Sequence, residues 1–194
     1  MVLYLNACVR KESRTNRLAA ALLQKLGGTY EEVKLPEEMP GPLSEQQLQK
    51  RTKLTEQGNY TDPMFRLARQ FAAAEVVVVA APFWDLSFPA VLKQYFEQIN
   101  AAGVTFRYTA EGIPQGLCRA KELYYVTTAG GPIFSNDYGF GYVKALAEGF
   151  YHIPKVSLIQ AEGLDIEGAD VEGILLQAEA SIDRLLTNAS ETDE

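Results

Sequence analysis

Histidine and cysteine are almost absent from this sequence, and that narrows its chemistry. His152 is the only histidine in 194 residues. A Ser-His-Asp or Cys-His catalytic system would have to be built on it alone. It stands between Gly149-Phe150-Tyr151 and Ile153-Pro154, a setting that suits a structural or loop role. No His/Cys cluster has zinc spacing, and two cysteines, Cys8 and Cys118, do not make a disulfide framework. Positive charge is also scarce. Lys plus Arg total 18 against 25 for Asp plus Glu, a net charge of −7, which argues against a protein that coats nucleic acid. No apolar run approaches the roughly 18 residues of a membrane span, the longest being Val76 to Pro82. Met1 to Cys8 lacks the basic start of a signal peptide. A cytoplasmic protein without membrane or nucleic-acid partners is expected.

What is present fits a globular fold. Hydrophobic residues make up 47% of the chain, too many for a disordered protein. The length suits one domain over residues 1–194, large enough to bury a core without metals or disulfides. Short apolar runs predict strands over Val2–Cys8, Tyr30–Leu35, Glu75–Ala81, Lys121–Thr127 and Lys155–Ala161. Four consecutive valines in the third suit a central parallel strand buried on both faces. Helical spacing predicts helices over Thr15–Leu26, Pro63–Ala74, Phe88–Ala101, Tyr138–Tyr151 and Val171–Leu186, the first ended by Gly27-Gly28. The polar and acidic tail Thr187–Glu194 is expected to fray. Residues 36–62 hold three prolines and a polar helical stretch around Ser44–Glu56, a connection long enough to be functional or an insertion.

Strands alternating with helices imply a parallel sheet covered on both faces, with ligands bound outside the carboxyl ends of the strands. Three loops fall there: Val9–Arg14, Phe83–Phe88 and Thr128–Asn136. The first runs into Ser13-Arg14-Thr15-Asn16 at a helix start, where free N–H groups attract phosphate. Arg10 and Arg14 can add charge; equally, Ser13 can be an ordinary cap and the arginines solvated. The second places Phe83, Trp84 and Phe88 after the most buried strand, either closing the core or walling a planar ligand. The third holds Gly130-Gly131, which lets backbone approach a ligand or simply turns the chain. Neither a G-x-G-x-x-G fingerprint nor a P-loop is present. A phosphate pocket beside a flat wall, without acid–base side chains, suits a cofactor that carries its own chemistry.

The stretch Pro82 to Ile99 resembles the P-x-[YW]-[ND]-x-x-x-P-x-x-L-K signature of the FMN-dependent NADH:quinone oxidoreductases, also called FMN-dependent NADH-azoreductases. Ala102-Gly103-Val104-Thr105-Phe106-Arg107-Tyr108 resembles the next block of that family, Thr127 to Gly131 its T-x-x-G-G loop, and Ala161-Glu162-Gly163 its last-strand end. The resemblance covers nearly the whole chain. It implies a flavodoxin-like three-layer α/β sandwich, with a five-stranded parallel sheet in the order 2-1-3-4-5 and helices on both faces. It implies tightly bound, non-covalent FMN held by Cys8, Arg10, Ser13, Arg14, Thr15, Pro82, Phe83, Trp84, Asp85, Leu86, Thr128, Ala129, Gly130 and Gly131. Phe106, Phe150 and Tyr151 are expected at the substrate pocket. No catalytic side chain and no metal are expected. NADH or NADPH would be the donor, a quinone or azo compound the acceptor, and a homodimer the assembly.

The sequence departs from the family at four points, one being a loop before Ser13 about one residue shorter than in some members. Cys8 replaces a first-strand serine, Asp85 stands where asparagine is more frequent, and the Thr128-Ala129-Gly130-Gly131 loop has no arginine. An ionised Asp85 pointing inward would disfavour an anionic reduced flavin and lower its potential. Two competing readings are a flavodoxin-type electron carrier without NADH turnover and a flavin-free interaction module.

Overall fold

Parallel strand pairing organises the chain in this computed structural model, which describes residues 1–190. The order is β1 (Val2–Asn6), α1 (Arg14–Leu26), β2 (Tyr30–Lys34), α2 (Leu35–Glu38), α3 (Glu45–Glu56), α4 (Arg66–Ala73), β3 (Val76–Ala80), α5 (Ala90–Ile99), β4 (Phe106–Tyr108), β5 (Pro114–Gly116), β6 (Glu122–Thr128), α6 (Phe140–Leu146), β7 (Lys155–Ala161) and α7 (Val171–Ser190). Five strands form one parallel sheet in the order β2-β1-β3-β6-β7. Counting only those five, this is the expected 2-1-3-4-5. The strands start level, Val2 opposite Tyr30 and Val76, Val76 opposite Glu122, and Glu122 opposite Lys155. Their carboxyl ends therefore share one edge. The chain leaves β1 towards β2 and returns on the other side to β3, so the switch point lies between β1 and β3.

Alternation along β3 divides the core. Val77 and Val79 pack with Phe71, Leu92, Tyr95 and Phe96 of α4 and α5. Val78 and Ala80 pack with Leu18 and Leu22 of α1 and Leu175 and Ile182 of α7. Val77, Val78 and Val79 are fully buried, each worth about 1.5–3 kcal/mol over an exposed position. α1 begins at Ser13, whose Oγ accepts from the Asn16 N–H, and ends at Gly27 (φ +69°).

Several elements differ from expectation. The helix expected over Pro63–Ala74 is a 3₁₀ turn, Pro63–Phe65, followed by α4. The helix expected from Phe88 starts only after Pro89, which caps α5. The helix expected over Tyr138–Tyr151 is α6 plus a π-helical turn, Ala147–Tyr151, closed by His152 in the left-handed region (φ +55°). The antiparallel hairpin β4–β5 was not expected as strands. α7 runs on to Ser190, past Thr187. The remaining acidic residues, 191–194, lie outside the described residues.

The connection 35–62 is structured. α3 opens with a capping box between Ser44 and Gln47. Its Arg51 donates to the carbonyls of Glu97 (3.0 Å), Gln98 (3.2 Å) and Asn100 (3.5 Å), the carboxyl end of α5. The segment thus caps a core helix that would otherwise end in bare carbonyls. Among the described residues, no helix is long and apolar enough to cross a membrane and no His/Cys/Asp/Glu group is arranged to hold a metal.

Candidate functional site

The level strand ends gather four loops around one cleft of about 260 Å³. Val9, Arg10, Glu12, Ser13, Arg14 and Thr15 come from the β1–α1 loop and the first turn of α1. Pro82, Phe83 and Trp84 follow β3. Thr128, Ala129 and Gly130 close β6, and Leu164 and Asp165 follow β7. The structure thus brings together Arg10, Ser13, Arg14, Thr15, Pro82, Phe83, Trp84, Thr128, Ala129 and Gly130, as the sequence indicated.

The loops are bound to one another. Thr15 and Thr128 share a buried hydroxyl–hydroxyl hydrogen bond of 2.7 Å. The Ala129 N–H donates to the Ala161 carbonyl (2.9 Å), Gly163 to Gly131 (3.1 Å), Leu164 to Ala129 (3.2 Å) and Asp165 to Gly130 (2.8 Å). These bonds carry the β6–β7 pairing beyond the strands. A Cβ on Gly130 would collide with the Asp165 carboxylate as it stands, so a side chain there would have to displace that carboxylate.

Trp84 sits on a tight two-residue turn. Its N–H donates to the Ser87 carbonyl (3.1 Å), and the Ser87 N–H donates back (2.8 Å). The central residues, Asp85 (φ +49°) and Leu86 (φ +67°), are both left-handed. This geometry normally selects glycine or asparagine. Strain of this kind persists where the surroundings over-determine it, commonly at functional sites. The turn leaves Trp84 41% exposed beside the cleft. Asp85 and Leu86 are exposed and outside its lining, so Asp85 does not point inward.

Backbone donors are unspent along these loops. The N–H groups of Arg14 and Thr15 find no acceptor among the described residues, nor do those of Gly130 and Gly131. Arg14 is engaged, donating to Asp165 Oδ1 (2.7 Å) and to the Leu164 carbonyl (3.2 Å). Arg10 makes no ion pair or hydrogen bond among the described residues.

Other expected site residues stand elsewhere. The Cys8 N–H donates to Asn6 Oδ1 (3.0 Å). Its thiol is half-buried against the α1 side of the core, and burial pushes its pKa up. It behaves as a small apolar residue beneath the cleft rather than part of the lining. Gly131 lies just past the lining. Tyr151, expected at the substrate pocket, is a core residue. It is buried, its ring packs edge-on against Phe71 (4.8 Å), and its hydroxyl donates to Asn100 Oδ1 (2.6 Å). Phe106, at the start of the hairpin strand β4, is likewise buried against Tyr108 (5.3 Å) and Phe150 (5.0 Å). None of these three lines the cleft of its own chain. Sequence reasoning missed Leu164 and Asp165. The signal was available, since the loop after the last parallel strand must fall on the same edge.

A family model for the flavodoxin-like fold matches residues 1–186. The chain is 44% identical over 117 residues to FMN-dependent NADH:quinone oxidoreductase 2 of Clostridium acetobutylicum, covering 58% of each chain. It is 34% identical over 180 residues to the FMN-dependent NADH:quinone oxidoreductase of Lachnoclostridium phytofermentans, covering 88% of this chain and 90% of that one. In fold it is similar to an azoreductase from Bacillus anthracis str. Sterne (TM-score 0.80, 23% identity, covering 95% of this chain and 97% of that one). It is also similar to an FMN-dependent NADH-azoreductase from Bacillus anthracis str. Ames Ancestor in complex with FMN (TM-score 0.76, 21% identity, covering 95% and 98%). With the expected sheet order, the cleft at its switch-point edge and a match along nearly its whole length, the chain belongs to the flavodoxin-like family that includes the FMN-dependent NADH:quinone oxidoreductases.

Proposed function

We propose that this protein is an FMN-dependent oxidoreductase that passes electrons from NADH to quinones, and to azo compounds of similar shape. The observation that carries the reading is the pairing of unspent backbone donors with an exposed indole in one cleft. FMN fits that set. The first turn of α1, with Ser13 and Thr15, offers N–H and hydroxyl donors to a phosphate. Trp84 and Phe83 offer a flat apolar wall. Gly130 and Gly131 offer N–H groups that stabilise negative charge without reorganising. When bound, FMN supplies two-electron transfer between donor and acceptor; the chain's own residues bind, orient and exclude water. With Trp84 exposed beside the cleft, donor and acceptor would take turns at the face it presents.

The assembly we propose is a homodimer. Tyr138 (63% exposed) stands beside the Trp84 turn, where the Ser87 hydroxyl donates to its carbonyl (2.7 Å), and Phe134 (84% exposed) lies on the same β6–α6 loop. An apolar rim this exposed suits burial against a second copy. We further read residues 1–194 as one domain and the protein as cytoplasmic, in keeping with Cys8 and Cys118 both being free thiols.

The test is spectroscopic. Protein incubated with FMN and freed of excess is expected to show bound oxidised flavin, to bleach on NADH without air, and to recover on adding a quinone. Flavin that stays oxidised with NADH overturns the enzyme reading in favour of an electron carrier. Failure to retain FMN overturns the cofactor assignment.

A further inference from the structure

The cleft contains a carboxylate where a phosphate-binding site has little use for one. Four charged residues line it: Arg10 and Arg14 against Glu12 and Asp165. Formal charge therefore cancels at a place that would receive a phosphate monoester. Arg14 is the guanidinium on the first turn of α1, next to the unspent N–H groups, yet it is committed elsewhere. One nitrogen donates both to Asp165 Oδ1 (2.7 Å) and to the Leu164 carbonyl (3.2 Å).

The backbone of Asp165 is anchored, and its carboxylate is turned towards Arg14. Its N–H donates to the Gly130 carbonyl, and its neighbour Leu164 is bonded to Ala129. Its carboxylate lies where any side chain on residue 130 would be. The backbone ladder thus positions this carboxylate beside α1.

We propose that Asp165 limits the affinity of the cleft for the phosphate of FMN by occupying the Arg14 guanidinium. Asp165 is thereby a positioning residue that acts through Arg14. The proposal rests on FMN being the cofactor. An arginine already paired contributes little additional attraction to an incoming anion, whereas an unpaired one at a helix N-terminus adds a charge-assisted hydrogen bond. The pair itself is largely exposed, 42% for Arg14 and 68% for Asp165, and exposed pairs contribute little to stability. Removing it leaves the fold intact while releasing the cation.

The experiment is a double-mutant cycle read by flavin binding. Dissociation constants for FMN and riboflavin, which lacks the phosphate, are measured by flavin fluorescence for wild type, Asp165→Asn, Arg14→Ala and the double variant. Asp165→Asn keeps the size and the backbone ladder. It is expected to tighten FMN about fivefold, as suits one partly screened charge interaction, and to leave riboflavin within twofold. The gain is expected to vanish in the double variant. Asp165→Ser, which also removes the charge, is expected to reproduce the gain, and thermal midpoints report that each variant is folded. FMN affinity unchanged or weakened in folded Asp165→Asn overturns the proposal. So does an equal gain for riboflavin, or a gain that survives Arg14→Ala. Failure of wild type to bind FMN refutes the cofactor assignment instead, so the two failures are distinguishable.

Discussion

Leu86 is the residue that fits its backbone least well. Its φ of +67° puts a branched side chain in a region that costs an L-residue roughly 1–2 kcal/mol. Glycine there removes the clash but returns about 0.5–1 kcal/mol through the freedom of the unfolded chain. Leu86→Gly is therefore expected to raise stability by up to about 1 kcal/mol, a gain in thermal midpoint of about 2–4 °C at this chain length. An unchanged or lower midpoint would show the turn to be unstrained. Next to it, Trp84 contributes an exposed face and little core. Trp84→Ala is expected to weaken FMN binding about tenfold, from loss of ring stacking, with no change in thermal midpoint of the flavin-free protein. A variant with normal FMN affinity and flavin spectrum would remove the indole from the site.

At the scale of elements, α3 is the part whose purpose was least visible in advance. Its extent was legible as a polar helical stretch around Ser44–Glu56, and the structure adds the capping box of Ser44 and Gln47 that opens it. Its role was not legible, because Arg51 meets the carbonyls of 97, 98 and 100 only after folding. Arg51→Ala leaves those carbonyls without a charged donor and is expected to cost about 1.5–3 kcal/mol in denaturant unfolding. FMN affinity is expected to hold, since α5 is ten residues long and separates this end from the Trp84 turn by about 15 Å. Coincident loss of FMN binding would show that the two ends are coupled.

The same distinction governs what else could be read in advance. The five strands announce themselves through apolar runs, and three of the four cleft loops follow from strand ends. The hairpin β4–β5 does not announce itself. Three-residue strands carry too short a pattern, and Pro114 and Gly116 read as turn chemistry. The π-helical turn at Ala147–Tyr151 was not legible either, because periodicity does not distinguish it from one more turn of α6. The place of Asp165 on the cleft edge was readable from the end of the last strand, but its pairing with Arg14, 151 positions earlier in the chain, was not.

For the whole molecule, burial of acidic protons sets a limit at high pH. Burial pushes the Cys118 thiol up to about 12 from its ordinary 9.0. It also raises the phenols of Tyr4, Tyr95, Tyr124, Tyr125 and Tyr151. The unfolded chain releases these protons first, so it binds fewer than the folded chain above pH 9 and stability falls as pH rises. The expected outcome is a full thermal midpoint at pH 7 to 8 and a progressive loss from pH 9 towards 12. Of ten tyrosines, these five are expected to show phenolate absorbance only on unfolding. A midpoint flat to pH 11 would contradict their burial.

The hydrogen bonds that prolong β6 and β7 past Thr128 and Ala161 make two nominal loops behave as fabric of the sheet. Deuterium uptake should expose this. The amides of Ala129, Gly163, Leu164 and Asp165 are expected to exchange as slowly as strand amides. Those of Gly130 and Gly131, unbonded in between, are expected to exchange quickly and to slow on adding FMN. A cofactor leaving this cleft would then have no hinge to open on that side, and its departure would fall to the β1–α1 loop or the Trp84 turn.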